Sequence, residues 1–264
     1  MKLHTHQKQT IDLPGKPKFI RTLEYAYESL LIGTSGQSFY RYNPLTKKTR
    51  HTVLDKNSNR IFVNQINAFL PVNKHTKWIA TENGIFQCNT QTHNIKEITP
   101  RHLFPSNKNI IRVRDLIKDR DDIIWATTDQ GLLKYQKNHW KIYTHNKDNQ
   151  YSLRSNWLVD LFEDESGSIW ISNKENGINV IHNKKQKFIH YGSGSNQQEL
   201  SNNLVFSFDR YDKNEILIGT IGGGLDSFNP QTEKFYNYNR YHAELGKKIT
   251  AIKTIDYNKI LLGT

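Results

Sequence analysis

Five side chains in the middle of this chain have the chemistry to bind a small polar ligand. Arg112 and Arg114 supply guanidinium groups, Tyr151 and Trp157 supply aromatic rings, and Asn156 supplies an amide. Guanidinium groups donate in a fixed fork to hydroxyls or carboxylates, and aromatic rings offer flat apolar platforms for sugar C–H faces. We treat these five as candidate ligand-binding residues. Two alternatives stay open: Trp157 packs between structural units, and Arg112 forms an ion pair.

The residue types that catalysis or metal binding requires do not converge in the sequence. Cys88 is the single cysteine, which excludes a disulfide scaffold and a thiolate zinc cage. Glu163, Asp164 and Glu165 lie in a predicted hairpin turn, where capping of backbone N–H groups explains them. The run Gly222–Gly224 lacks the Gly-Lys-Ser/Thr ending of a phosphate-binding loop. We predict no catalytic residue, no metal site and no cofactor.

Length and charge limit the class of protein. The 264 residues carry 37 Lys+Arg against 25 Asp+Glu, a formal charge of +12, with 11% aromatic residues. This aromatic content argues for a folded core. The lysines are dispersed over predicted turns, which argues against nucleic acid and leaves solvated faces or attraction of acidic glycans. No apolar run approaches the ~18 residues of a membrane span, and the basic amino terminus lacks the apolar core of a secretory signal.

An internal repeat indicates which elements position the candidate residues. A small residue or Thr follows two residues after a large apolar one in six successive stretches, at Gly33, Ala80, Thr127, Ser172, Gly219 and Gly263. The steps between these positions are 47, 47, 45, 47 and 44 residues, with a mean of 46. Each period reads as four short strands separated by turns, such as Asn229-Pro230-Gln231-Thr232.

This period predicts an all-β fold, a β-propeller of four-stranded antiparallel blades. We expect an N-terminal segment at 1–18, a possible closing strand, and blades over 19–264. The blades are five complete ones and a partial sixth. A seven-bladed ring on this period needs about 322 residues, so we expect the chain to be part of a longer protein. We also expect the small residues where adjacent sheets approach closely, and Trp78, Trp125 and Trp170 between blades.

Antiparallel blades place the interblade connections and the loops between second and third strands on one face. The connections at 99–110, 144–156, 192–203 and 239–248 are long and polar. Arg112 and Trp157 occupy equivalent repeat positions, where the fifth unit has Leu204. The residue type at this position varies between units while the repeat motif recurs, which is typical of a ligand-binding face.

The repeat resembles the two-component regulator propeller repeat from about residue 19 to the end. The stretch SLRSNWLVDLFEDESGSIWISNKENGINVIHNKKQKFIHY at 152–191 is most similar, with its Ser-Asn strand start and Asp-x-x-Gly-x-x-Trp hairpin. The first unit departs from the motif at Ser38, where the motif has Gly. Such repeats form the extracytoplasmic sensor regions of hybrid two-component systems, chiefly in gut Bacteroidetes, which commonly sense products of polysaccharide breakdown.

The resemblance implies a non-enzymatic, periplasmic region that binds an oligosaccharide, with acidic glycans among the candidates, and signals to a downstream histidine kinase. It further implies a homodimer through the full-length receptor and a membrane segment outside this sequence. Two alternatives remain: a stand-alone protein-interaction scaffold, and a propeller polysaccharide lyase or hydrolase.

Overall fold

The computed structural model describes residues 11–17, 19–54, 64–92, 94–149, 151–182, 188–193, 199–212, 214–256 and 259–264. Within them lie five four-stranded antiparallel sheets, each with its strands in sequence order, and a final two-stranded hairpin. The prediction of an all-β fold built from β-propeller blades is therefore confirmed. The described residues contain no helix long and apolar enough to cross a membrane.

The strands have the following bounds. Blades 1 and 2 comprise β1 (Ile20–Ala26), β2 (Ser29–Thr34), β3 (Phe39–Asn43), β4 (Lys48–Thr52), β5 (Ile66–Pro71), β6 (Thr76–Thr81), β7 (Gly84–Asn89) and β8 (Ile95–Glu97). Blades 3 and 4 comprise β9 (Val113–Lys118), β10 (Ile124–Thr128), β11 (Gly131–Gln136), β12 (His139–Tyr143), β13 (Leu158–Glu163), β14 (Ile169–Asn173), β15 (Ile178–Ile181) and β16 (Phe188–Tyr191). Blade 5 and the hairpin comprise β17 (Val205–Asp212), β18 (Glu215–Thr220), β19 (Leu225–Asn229), β20 (Lys234–Asn237), β21 (Ala251–Asp256) and β22 (Lys259–Gly263).

The described chain forms two compact units. The first unit comprises 11–129 and 133–141, with blades 1 and 2 and most of blade 3. The second unit comprises 130–132 and 142–264, with blades 4 and 5 and the hairpin. In the first unit, β1 contacts β5 and β5 contacts β9; in the second, β13 contacts β17 and β17 contacts β21. The first strands of successive blades are therefore neighbours within each unit.

Small residues permit the close approach of blades in both units. A Cβ atom at Gly33 would lie 2.8 Å from Cγ2 of Ile66 in the next blade, and one at Gly219 would lie 2.9 Å from Cγ2 of Ile249. Leu31 and Phe39 pack with Phe69 and other buried residues of blade 2. The expected place of the small repeat residues is thus observed at these two positions.

Tryptophans fill the wider spaces between blades at Trp170 and Trp78, two of the three positions for which this was predicted. The ring centroids of Trp170 and Phe228 lie 4.8 Å apart in the core between blades 4 and 5. In the first unit, Trp78 contacts Tyr135 and Trp140 of blade 3 at centroid distances of 5.0 and 5.7 Å. Aromatic contacts at these distances add to the free energy gained by burial.

The segment before β1 covers one face of blade 1. Ile11 and Leu13 pack against buried Tyr40, whose hydroxyl donates to the carbonyl of Pro14 at 2.6 Å. Burial raises the pKa of the Tyr40 hydroxyl. Residues 11–17 contain no strand, and residues 1–10 lie outside the described residues, so the closing strand stays a prediction.

A carboxylate organises the first hairpin of blades 3 and 4. Asp164 accepts the N–H groups of Ser166 and Ser168 at 2.8 and 2.9 Å, and its second oxygen accepts Nε1–H of Trp170 at 2.8 Å. Asp119 makes the same bond to Trp125 at 2.7 Å. An Asp six residues before a Trp therefore ties the hairpin turn to the tryptophan in both blades, and the capping role expected for Asp164 is confirmed.

We expect the Asp164→Asn substitution to lower the free energy of unfolding by about 1–3 kcal/mol, because an amide N–H would oppose the indole N–H of Trp170. Urea unfolding followed by tryptophan fluorescence measures this. The control is Glu165→Gln, whose exposed ion pair with Arg210 contributes little. Equal urea midpoints for the two variants would contradict the role of Asp164.

A second prediction concerns His190 of blade 4, which lies opposite Asn179. Its Nδ1 is buried without a hydrogen-bond partner, and burial, with Arg154 nearby, lowers the pKa of the imidazole below its usual 6.5. In blade 5 the corresponding pair is Asn237 and Asp226.

Because the unfolded chain binds the proton on His190 more tightly, this imidazole makes stability fall as the pH drops from about 6.5 toward its folded pKa. We expect His190→Asn to reduce the loss of stability between pH 7 and pH 5. Thermal unfolding across that range, with exposed His242→Asn as control, measures it. An unchanged pH profile in His190→Asn would refute the assignment.

Candidate functional site

One backbone hydrogen bond recurs in all five blades. The N–H group of the residue after the second strand donates to the carbonyl of the residue immediately before the first strand. The pairs, donor first, are Ser35 and Phe19, Glu82 and Gln65, Asp129 and Arg112, Lys174 and Trp157, and Ile221 and Leu204, at 2.9–3.2 Å. Since only main-chain atoms take part, the side chains at both positions are free to vary.

This bond places two variable side chains beside each other at one end of every blade. Their types range from apolar to acidic, basic and aromatic across the blades. A third variable position follows two residues into the first strand and holds Arg21, Asn67 and Arg114 in blades 1, 2 and 3. A fixed main chain with changing polar side chains is the usual construction of a binding surface.

The three variable positions converge on Glu82 in the first unit. Glu82 Oε1 accepts from Arg21 Nη2 at 3.0 Å and from Arg114 Nη1 at 2.8 Å, and Oε2 lies 3.2 Å from Arg112 Nε. Nδ2 of Asn67 donates to Glu82 Oε1 at 3.3 Å. The Glu82 side chain is only 8% exposed, so the carboxylate forms the base of a cluster of guanidinium groups.

A second carboxylate holds Arg112 in place. Asp129 Oδ2 lies 3.2 Å from Arg112 Nη1, and Asp129 Oδ1 accepts the backbone N–H of Arg112 at the same distance. Three guanidinium groups against two carboxylates leave one positive charge in excess. We call Arg21, Arg112, Arg114, Glu82 and Asp129 the arginine cluster.

The arginine cluster is accessible to a ligand. The side chains of Arg21, Arg112 and Arg114 are 30%, 38% and 25% exposed. Burial lowers the pKa of Arg114, and the neighbouring Arg21 and Arg112 lower it further, while Glu82 opposes this. An added anion would relieve the repulsion among the three cations.

The structure thus brings Arg112 and Arg114 together, and the ion-pair alternative for Arg112 is observed. Sequence reasoning missed Arg21 and Glu82. Arg21 occupies the position in blade 1 that is equivalent to Arg114, a predicted site residue. Glu82 occupies the position in blade 2 that is equivalent to Asp129, which is also acidic. Aligning the units at these positions would have identified them.

The other three candidates lie in the second unit. Trp157 is 43% exposed, and Lys174 Nζ lies 3.6 Å from the centroid of its ring. Tyr151 is 46% exposed, and its N–H donates to Asn149 Oδ1 at 3.0 Å. Their role in binding stays a prediction.

Asn156 has a local structural contact. Its Oδ1 accepts the backbone N–H of His145 at 2.6 Å, which holds the connection between blades 3 and 4 next to the start of β13. Trp157, the next residue, carries the exposed ring. Asn156 therefore positions the main chain immediately before Trp157.

We expect Glu82→Gln to lower the free energy of unfolding by about 1–3 kcal/mol, because it removes the counter-charge of three part-buried guanidinium groups. Chemical unfolding monitored by circular dichroism provides the measurement. Asp122→Asn is the control, since Asp122 is 83% exposed and pairs only at the surface with Lys118. Equal free energies of unfolding for Glu82→Gln and Asp122→Asn would show that the arginine cluster does not stabilise the fold.

No protein-family model matches the sequence, and no curated protein does. Solved structures do match. The extracellular domain assigned to a hybrid two-component system of B. thetaiotaomicron is 16% identical with a TM-score of 0.70, over 96% of this chain and 34% of that chain. PorZ, a surface component of the type-IX secretion system of Porphyromonas gingivalis, is 15% identical with a TM-score of 0.68, over 93% and 37%.

An enzyme is among the similar structures as well. The GH74 enzyme of Niastella koreensis is 15% identical with a TM-score of 0.64, over 86% of this chain and 38% of that one. This chain spans about a third of the length of these three proteins. At such identity the likeness concerns the fold, and the fold resemblance to the sensor regions of hybrid two-component systems, drawn from the repeat, is confirmed.

Proposed function

We propose that this chain is the ligand-sensing propeller region of a periplasmic receptor that controls polysaccharide use. The observation that carries the proposal is the arginine cluster, in which three part-exposed guanidinium groups converge at the variable end of the blades. The fold shared with an extracellular domain assigned to a hybrid two-component system supports the same class of protein.

The cluster suits an acidic oligosaccharide. A uronic acid presents a planar carboxylate, which matches the paired N–H groups of a guanidinium, and hydroxyls that accept further N–H donors. Glu82 and Asp129 hold the guanidinium groups in position before the ligand arrives, which reduces the entropy lost on binding. Arg112 and Arg114 bind the carboxylate, with Arg21 as a third donor.

Signalling follows from the position of the cluster. Arg21, Glu82 and Arg114 belong to three different blades, so a ligand that bridges them changes the packing of one blade against the next. A downstream histidine kinase would receive this change. In this proposal the region itself is non-enzymatic.

We expect uronic-acid oligosaccharides to raise the melting temperature of the chain more than their neutral counterparts do, since a ligand at a hundred times its dissociation constant adds about 2.7 kcal/mol. Arg112→Lys keeps the charge but loses the planar fork, so its dissociation constant should rise at least about tenfold, or 1.4 kcal/mol. Arg210→Lys, at an exposed ion pair, is the matched control.

Two outcomes would overturn the proposal. If no acidic or neutral oligosaccharide shifts the melting temperature of the folded chain, a protein-interaction scaffold becomes the better assignment. If the oligosaccharides are cleaved during incubation, with products detected by mass spectrometry, the chain is an enzyme. Equal affinity of Arg112→Lys and wild type would exclude the arginine cluster as the site.

A further inference from the structure

A second concentration of positive charge lies elsewhere in the first unit, around a cavity of about 290 Å³ at the outer strands of blades 1 and 2. Arg41 and Arg50 line it from blade 1, and Cys88 and Thr90 line it from blade 2. None of the described residues that line the cavity is acidic. The arginine cluster shares no residue with this cavity.

Like charges face each other on the blade 1 side. Arg41 on β3 and Arg50 on β4 are directly opposite in the strand register. Directly opposed like charges destabilise an antiparallel pair. The adjacent pair, Tyr40 and His51, stacks on the other face of the sheet at a centroid distance of 4.4 Å. The pair beyond it, Phe39 and Thr52, also lines the cavity.

Lys77 of blade 2 adds positive charge next to the lining residues Arg41 and Cys88, although it does not itself line the cavity. Lys77 is only 3% exposed and lies opposite Cys88, which lines the cavity. Neither Lys77 nor Arg41 forms an ion pair with a carboxylate of the described residues. The aromatic contact of Lys77 is weak, with Nζ 5.8 Å from the centroid of the Tyr27 ring.

The electrostatics of this group agree with the geometry. Burial lowers the pKa of Lys77, and the nearby Arg41 lowers it further. A buried cation without a counter-ion is costly unless something pairs with it. Burial also raises the pKa of the Cys88 thiol, so Cys88 contributes a neutral wall and no nucleophile.

We propose that this cavity binds an oxyanion, the sulfate, phosphate or carboxylate group of a small ligand, through Arg41, with the nearby charge of Lys77 in support. Arg50 lines the opposite strand and adds to the positive potential. The bound anion places a negative charge beside Arg41 and relieves the repulsion between Arg41 and Lys77. This site is independent of the proposed sensing site.

The first test is titration calorimetry of the chain with sodium sulfate, sodium phosphate and sodium acetate, at ionic strength held constant with sodium chloride. We expect saturable binding of at least one of the three anions, and the preferred one identifies the chemical group. Arg41→Gln should raise its dissociation constant at least tenfold, and Lys48→Gln, an exposed change of equal charge on β4, should leave it unchanged. Arg112→Lys should also leave it unchanged, which separates this site from the sensing site.

A second variant keeps the test decisive if Arg41→Gln fails to fold. Lys77→Met removes the buried charge but keeps the length of the side chain. We expect its melting temperature without anion to exceed that of the wild type, and the stabilisation by anion to decrease. A lower melting temperature with anion stabilisation intact would overturn the proposal, as would the absence of any anion effect beyond that of chloride on the wild type.

Discussion

The backbone hydrogen bond between the second and first strands is the contact on which the site depends. In every blade it joins the turn after the second strand to the start of the first strand. It closes the end of the sheet where the long connections enter. Because both partners are main-chain atoms, the geometry survives changes of side chain, and the two positions become free to carry charge in one blade and an aromatic ring in another.

The first unit balances its positive charges in two different ways. Around Glu82, three guanidinium groups are positioned by two carboxylates, and the remaining positive charge is accessible from solvent. Around Lys77 and Arg41, the described residues that line the cavity include no carboxylate. In the arginine cluster, carboxylates hold the donors in place, which favours selective binding of a larger ligand. In the cavity of blades 1 and 2, the cations are not held in this way, which favours binding of a small anion of any suitable shape.

The repeat was sufficient to predict the fold from the sequence. Its step of 46 residues corresponds to successive four-stranded sheets, and the small residue at Gly33 and the Asp164–Trp170 spacing each correspond to a contact in the structure. Arg112 and Arg114 were found because they stand at the start of a strand beside a long connection. Arg21 and Glu82 were missed because their importance lies in contacts between blades, which a reading of one unit at a time does not show.

The cavity of blades 1 and 2 was beyond sequence reasoning for a different physical reason. Arg41 and Arg50 are nine positions apart, and only the strand register makes them opposite. Lys77 reads as an ordinary surface lysine between turn residues, yet the neighbouring blade buries it. Register and burial depend on the exact length of each turn, which residue types constrain only loosely.

The aromatic position of blade 4 places a further constraint on ligand binding in the second unit. Lys174 occupies the position equivalent to Asp129, and its ammonium covers one face of the Trp157 ring at 3.6 Å from the centroid. A sugar that stacks on Trp157 must therefore use the other face or displace Lys174. If it uses the other face, the ammonium on the covered face remains near the ligand, and its charge favours a sugar that bears an anionic group. The charge at this position is thus compatible with the acidic oligosaccharide proposed for the guanidinium groups of the first unit, although the contacts in the two units differ.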